Sequence, residues 1–431
     1  MKNYHLLIGL LFLAGIPSVD ALGQYAPDAK DADRAYSAVS AADAQDARLG
    51  LAVPLTITGG ILDTRRAEPD DPSAPSWTAG FRLLTTPQLK LGSHWYIYSA
   101  IQVYSSPFFY QDKFSADRYY EIDLLQGFVG YTRAWGKATL GLRVGQLSTA
   151  FGAFPLRYDD AANPLLDQPL AYTLLKLRGD QLPCGVADFS SQPNVVFNCG
   201  GAGVDSYGVQ PSTLYGLPAA EADLSWRRVD ARLQLSASSP ANPESIFASG
   251  RHPQATLGGG YTIHQGFRVG MSAFRGPWLD NAVIPFLSSG SNLSAFPASG
   301  LGFDAQWARG HWIASAEWQR FVLNYPGFRI APATSFGYVE LKRIMSPRWY
   351  AATRVNYQQN NRPEDATTRT GEPYVPNRQA YEVAVGFRPN RFQLLKVGYE
   401  WMVVQGGPQT HDNVLGVQFV TSINGLAKAL K

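Results

Sequence analysis

The chain has 431 residues and a formal net charge of +3, with 45% hydrophobic, 13% aromatic and 16% charged residues. A net charge this small argues against nucleic acid as a partner. Beyond the N-terminus, no apolar run is long enough to cross a bilayer as a helix, which excludes a helical membrane protein. A soluble β protein has a similar composition, so the spacing of strands and turns has to decide the class.

The first fifty residues carry two predicted segments. A positive start at Lys2, a short apolar core at residues 6–14 and an A-x-A-like site ending at Ala21 are typical of a secretory signal peptide. We predict cleavage near Ala21, so that the signal peptide is residues 1–21. Residues 22–50 are rich in Ala and Asp and show no strand alternation. They are predicted to form a mobile periplasmic leader or, alternatively, a short plug that enters the following domain from below.

Residues 51–431 repeat one pattern, in which about ten residues alternate apolar and polar side chains before a turn. This pattern is typical of a closed antiparallel transmembrane β-barrel, an all-β fold whose strands face lipid on one side and a watery lumen on the other. We predict about sixteen strands, an even number as in closed bacterial barrels. They lie at residues 53–63, 77–86, 94–104, 119–133, 138–147, 214–226, 229–237, 255–264, 267–275, 301–308, 312–323, 335–344, 349–359, 379–388, 392–404 and 413–421.

The predicted connections alternate between short and long. The short ones are residues 87–93, 134–137, 227–228, 265–266, 309–311, 345–348 and 389–391. We assign them to periplasmic turns and the long ones to extracellular loops. Trp135, Trp312 and Trp349 lie beside short turns, whereas Trp318 and Trp401 lie toward long loops. Two aromatic belts are expected at the two bilayer interfaces.

The third extracellular loop, residues 148–212, is much longer than the others. A loop of this length is either disordered or functional, and its many large apolar residues, such as Phe151 and Phe154, argue against disorder. We therefore predict that it folds back into the lumen and constricts the pore. Its candidate constriction residues are Arg157, Tyr158, Asp159 and Asp160.

Two cysteines, Cys184 and Cys199, lie in this same loop and are the only cysteines of the chain. An exported protein passes through an oxidising compartment, so we predict a disulfide between them. Two free thiols or a metal site are the alternatives, but no His is near in sequence.

Residues 140–170 resemble a known family. The stretch Val144-Gly145-Gln146, then Phe151-Gly152 and a run from Pro155 to Asp160, resembles the phosphate-selective-porin-like group of the outer-membrane porin superfamily. The resemblance implies that the loop at residues 148–212 folds inward and forms the constriction. Phosphate-selective channels line their path with basic residues, and this chain departs from that pattern.

The strand alternation places charges of both signs on the predicted lumen face. They are Arg82, Glu121, Asp123, Arg143, Glu221, Asp223, Asp230, Arg232, Asp304, Glu317, Glu340, Lys342, Arg354, Glu382, Lys396 and Glu400. Interleaved charges of both signs produce an electric field across the pore and select solutes by size and polarity (a polar sieve). A ring of charges of one sign selects ions by their charge. Pairing between neighbouring strands is the alternative role for each residue. The strand residues predicted near the constriction are Arg82, Glu121, Asp123, Arg143, Arg232 and Arg354.

No catalytic site, metal site or cofactor is predicted. His411 is followed by Asp412, but adjacent residues of an extended segment point apart. No spacing resembles a metal site, a phosphate loop or a nucleophile elbow. The chain is therefore not predicted to be an enzyme.

The sequence thus predicts a bacterial outer-membrane porin that lets small hydrophilic solutes or ions diffuse passively through a mixed-charge lumen. A substrate-specific channel for oxyanions, sugars or organic acids is the alternative, followed by a barrel enzyme or adhesin. The predicted partners are outer-membrane lipid and the solutes. A homotrimer is compatible with the sequence, which does not fix the oligomeric state.

Overall fold

The computed structural model describes residues 49–63, 76–106, 119–154, 159–172, 175, 177–190, 199–201, 216–237, 253–371, 373, 375–405, 411–424 and 428–430. The predicted signal peptide, the predicted leader up to residue 48, and Arg157 and Tyr158 of the long loop lie outside these described residues.

Among the described residues, sixteen long strands form one closed antiparallel β-barrel. They are β1 (Pro54–Asp63), β2 (Trp77–Thr85), β3 (Trp95–Ser106), β4 (Tyr119–Trp135), β5 (Ala138–Leu147), β6 (Leu217–Trp226), β7 (Val229–Ser236), β8 (Gln254–His264), β9 (Phe267–Pro277), β10 (Pro297–Arg309), β11 (Trp312–Leu323), β12 (Ala333–Ile344), β13 (Trp349–Asn360), β14 (Asn377–Phe387), β15 (Gln393–Gln405) and β16 (His411–Asn424). Each strand pairs with the next, and β16 pairs with β1, from Pro54 opposite Asn424 to Asp63 opposite Leu415. Closure leaves no unpaired strand edge, as a barrel in hydrocarbon requires.

The strand prediction is confirmed, since each predicted segment overlaps one of these strands. The largest shift is at β10, which begins at Pro297 rather than at residue 301. A short strand, Leu49–Ala52, pairs with Gln88–Leu91 and with Lys428–Leu430, below the ends of β1 and β2. The wall therefore begins two residues earlier than the predicted boundary at residue 51.

The remaining elements are small. The strands Phe328–Ile330 and Glu364–Asp365 pair outside the barrel. Short 3₁₀ helices lie at Leu170–Tyr172, Val186–Ser190, Asn281–Phe286 and Leu293–Ala295. Within the described residues, no helix combines the length and the apolarity needed to span a bilayer.

The strands have two unlike faces. In the central part of β12, β13 and β14, Val339, Val355 and Val383 are exposed. Their neighbours Glu340, Arg354 and Glu382 lie on the opposite face, are buried, and sit side by side in the strand register. An exposed apolar face is the lipid-facing surface of a transmembrane barrel. We call the opposite side the buried face of the wall.

Candidate functional site

Residues 148–216, whose described part packs against the buried face of the wall, connect β5 to β6. We call them the long segment. Near the ends of the strands that carry the long loops, the ring of Phe151 lies 5.1 Å from that of Phe274 on β9 and 5.5 Å from that of Phe321 on β11. Phe151 is fully buried in this aromatic cluster. The apolar residues that argued against disorder in the sequence are thus placed in a packed core.

Glu317 on β11 fixes the beginning of the long segment. Its carboxylate accepts hydrogen bonds from the backbone N–H of Ala153 at 3.0 Å and from the hydroxyl of Tyr172 at 2.9 Å. The hydroxyl of Tyr338 and the amide of Gln319 also donate to this carboxylate, at 3.0 and 2.6 Å. Burial and the carboxylate of Glu317 raise the pKa of Tyr172 well above its ordinary value. The tyrosine therefore stays protonated and remains a donor.

Arg354 on β13 holds the middle of the long segment and is completely buried. Its guanidinium forms ion pairs with Glu340 at 2.8 Å and with Glu382 at 3.1 Å. The same guanidinium donates to the backbone carbonyl of Asp167 at 2.9 Å. One cation thus ties three neighbouring strands to the long segment.

Lys396 on β15 holds a second part of the long segment. Its Nζ donates to the backbone carbonyls of Asp160, Asn163 and Leu165 at 2.9, 3.2 and 2.9 Å. Arg82 on β2 forms an ion pair with the Asp160 carboxylate at 2.8 Å, and both side chains are almost completely buried. These contacts leave little of the charge of Lys396, Arg82 or Asp160 open to solvent.

Two local features shape the chain around Asp160. The carboxylate of Asp159 accepts from the backbone N–H of Ala161 at 2.9 Å, and burial raises the pKa of Asp159. At Gly416 on β16, an added Cβ would lie only 2.6 Å from Cδ1 of Leu166. A larger residue there would have to push the Leu166 side chain aside, so glycine lets the long segment approach the wall closely.

The predicted disulfide is confirmed, with Cys184 and Cys199 joined and their Cα atoms 5.0 Å apart. The chain on either side is paired as well, because the N–H of Leu182 donates to the carbonyl of Gly200 at 2.8 Å. This part of the long segment lies against other loops. The carbonyl of Gly179 accepts from the N–H of Asp280, and the carbonyl of Arg178 accepts from the hydroxyl of Tyr325.

Replacing both cysteines with serine is expected to leave the barrel assembled and to make the long segment easier to cleave with protease. The disulfide joins two residues of the long segment that are 15 positions apart, and it does not link barrel strands. Closing a loop of this size stabilises the folded state by about 3 kcal/mol. Limited proteolysis of the variant and of the reduced wild-type protein should give matching results. Alkylation that found both thiols free in untreated envelope protein would contradict the expectation.

A second group of charged residues is only partly buried. The guanidinium of Arg143 on β5 pairs with Glu221 at 3.1 Å and with Asp223, both on β6. Arg268 on β9 pairs with Asp230 at 2.6 Å and with Asp304 at 2.8 Å.

Two acids on β4 are held by uncharged donors. Asp123 accepts from the amide of Gln102 at 2.8 Å and Glu121 accepts from the hydroxyl of Tyr104 at 2.6 Å. The side chains of Arg143 and Asp223 keep 18% and 20% of their surface exposed, whereas Arg354 keeps none.

The predicted constriction residues thus fall into two sets. Asp159, Asp160, Arg82 and Arg354 meet within the contacts between the long segment and the wall. Arg143, Arg232, Glu121 and Asp123 belong to the partly buried charges on β4, β5 and β7. Arg157 and Tyr158 lie outside the described residues. Glu317 and Lys396 were assigned to the lumen face by alternation, but no local signal pointed to their partners in the long segment.

No cluster of His, Cys, Asp and Glu suited to a metal ion occurs among the residues that the structure describes.

Comparison with known proteins shows the fold. No family model matches the chain, and no curated protein matches it. Among solved structures, OprB of Pseudomonas putida is similar with a TM-score of 0.52 and 12% identity, over 87% of this chain and 94% of that chain. The outer membrane channel DcaP of Acinetobacter baumannii has a TM-score of 0.49 and 8% identity, over 87% of this chain and 97% of that chain. The likeness to OprB shows that the two chains share a β-barrel fold.

Proposed function

We propose that the protein is an outer-membrane porin through which small hydrophilic solutes or ions diffuse passively. The observation that carries this proposal is a closed sixteen-stranded barrel that retains partly exposed charges on its inner side. Bacterial barrels of this size enclose an aqueous channel. The short turns then face the periplasm and the long loops face the exterior.

The long segment is proposed to lie inside the lumen and to narrow it. Support comes from its contacts with inward-facing side chains on opposite parts of the wall, such as Arg82 on β2, Gln234 on β7 and Arg354 on β13. A segment that only covered the outer mouth would not reach buried residues in the middle of strands. Asp160, Arg82 and Arg354 are then anchors of the constriction rather than charges that a passing ion meets.

The path for solutes is proposed to run along the partly exposed charges. These are Glu121, Asp123, Arg143, Asp223, Asp230, Arg232, Arg268 and Asp304. Carboxylates outnumber guanidinium groups in this set, and both signs are interleaved. Because groups of opposite sign pair closely, we expect a polar sieve with a mild preference for cations rather than strong charge selection.

Neutralising Glu121 and Asp123 together, as Glu121→Gln with Asp123→Asn, is expected to reduce this cation preference. The readout is the reversal potential of purified protein in a planar bilayer under a KCl gradient. The matched control is Glu364→Gln with Asp365→Asn, two neighbouring acids outside the barrel that pair with Arg329 or with backbone N–H groups. Equal shifts in both variants would contradict the proposed path.

The same recording also tests the proposed class. Absence of conductance in correctly folded protein would overturn the porin proposal in favour of a barrel with a blocked lumen. Block of the current by one oxyanion, sugar or organic acid at low concentration would favour the substrate-specific alternative. A homotrimer stays a prediction, to be checked by the mass of the detergent-solubilised protein.

A further inference from the structure

The end of the barrel that carries the short turns has an unusual charge distribution. We define the short-turn rim as residues 86–94, 132–138, 225–229, 262–267, 307–312, 342–349 and 386–393. These residues include no Asp or Glu. Their basic residues are Lys90, Arg133, Lys137, Arg227, Arg228, Arg309, Lys342, Arg343, Arg348, Arg388 and Arg391. Because the whole chain carries a net charge of only +3, positive charge is concentrated at this end.

Most of these cations are exposed rather than buried in the protein. Arg133, Arg227, Arg343, Arg348 and Arg391 are all exposed. The opposite end is different, since its loops contain acidic residues and an exposed arginine, Arg329, that pairs with Glu364 at 2.8 Å. The two ends of the barrel therefore present different surfaces to the two sides of a membrane.

Several rim cations lie over aromatic rings. The guanidinium carbon of Arg227 lies 5.1 Å from the centroid of the Trp226 ring, and that of Arg343 lies 4.9 Å from the Trp312 ring. That of Arg391 lies 4.5 Å from the Phe392 ring. Trp226 and Phe392 are themselves exposed. Exposed aromatic rings at strand ends sit at the headgroup level, and a cation stacked on such a ring is placed beside the lipid phosphates.

We propose that the short-turn rim binds the anionic headgroups of phospholipids in the adjoining leaflet. A planar guanidinium donates two parallel hydrogen bonds to a phosphate. Basic residues beside a membrane also gain attraction from an anionic lipid surface within a Debye length. The rim meets both conditions around the barrel, because its cations occur in six of the seven short turns. This proposal shares one assumption with the proposed channel function, namely that the barrel crosses a bilayer.

The test uses the full-length mature protein reconstituted into vesicles, with tryptophan fluorescence quenched by brominated phosphatidylglycerol or brominated phosphatidylcholine. Trp135, Trp226 and Trp349 on the rim, and Trp95 directly beside it, are exposed and report local lipid. We expect the relative association constant to favour phosphatidylglycerol by roughly threefold or more. The preference should vanish at about 1 M salt, where the Debye length is about 3 Å.

Two matched variants locate the effect. The rim variant combines Arg227→Gln, Arg343→Gln, Arg348→Gln and Arg391→Gln. The control variant removes the same charge at the other end through Arg275→Gln, Arg320→Gln, Arg362→Gln and Arg369→Gln, all of which are exposed. The preference should fall toward one in the rim variant and persist in the control.

An equal preference in both variants, or none in wild type, would overturn lipid binding by the rim. Planar-bilayer conductance of the same preparations is measured separately. A conducting protein without lipid preference removes this inference alone, and a lipid preference without conductance removes the proposed channel alone.

Discussion

Replacing Arg354 with methionine is expected to lower the free energy of unfolding by roughly 3–5 kcal/mol. The substitution keeps much of the side-chain volume but removes the cation between Glu340 and Glu382, which lie at 2.8 and 3.1 Å from its guanidinium. Two carboxylates would then remain buried on adjacent strands without their counter-charge. Urea unfolding of the reconstituted protein, followed by tryptophan fluorescence, measures the change.

A compensated variant distinguishes this electrostatic cause from a packing defect. Adding Glu340→Gln and Glu382→Gln to Arg354→Met removes the buried negative charges as well, so we expect most of the lost stability to return. The carbonyl of Asp167 still loses its donor in both variants. In the proposed channel, open-channel noise should therefore exceed that of wild type in both variants, even where stability recovers. If the Arg354→Met variant were as stable as wild type, Arg354 would not be what holds the wall and the long segment together.

The strands were predictable because the signals for them are local. Alternation and turn residues located β5 and β11 with the observed boundaries, Ala138–Leu147 and Trp312–Leu323. Alternation also assigned Arg82, Arg354 and Lys396 to the inner side of the barrel. The start of β10 was missed because the strand begins with Pro297, a residue that lacks a backbone donor and usually marks a turn.

The contacts of the inward-facing charges were not predictable in the same way. Lys396 donates to the carbonyl of Asp160, which lies 236 positions earlier in the chain. Alternation states which side of the wall a residue faces, but it does not state whether another part of the chain covers that side. The sequence therefore left pore lining and pairing with neighbouring strands both open for Arg82 and Arg354, and the structure has buried ion pairs at both residues. The disulfide was easier, because two cysteines allow only one intramolecular pair.

Removing the long segment is expected to give the largest functional change. Replacing residues 151–213 with a short Gly-Ser linker would withdraw the aromatic cluster around Phe151 and the chain that Lys396 and Arg354 hold. With the segment inside the lumen, as proposed, its removal would widen the path, so single-channel conductance should rise severalfold. Glu317 would become solvated, while Arg82 and Lys396 would lose the partners that the segment supplies, so the reversal potential should change as well.

The matched control shortens an exposed loop at residues 366–370, which lies outside the barrel wall. It removes surface chain without uncovering the inner side, and its conductance should equal that of wild type. Both variants must first be shown to be folded barrels by strand-type circular dichroism and by heat-dependent mobility on electrophoresis. A folded variant without the long segment that has the conductance and the reversal potential of wild type would show that the segment does not narrow the path. The constriction would then lie among the partly exposed charges around Arg143.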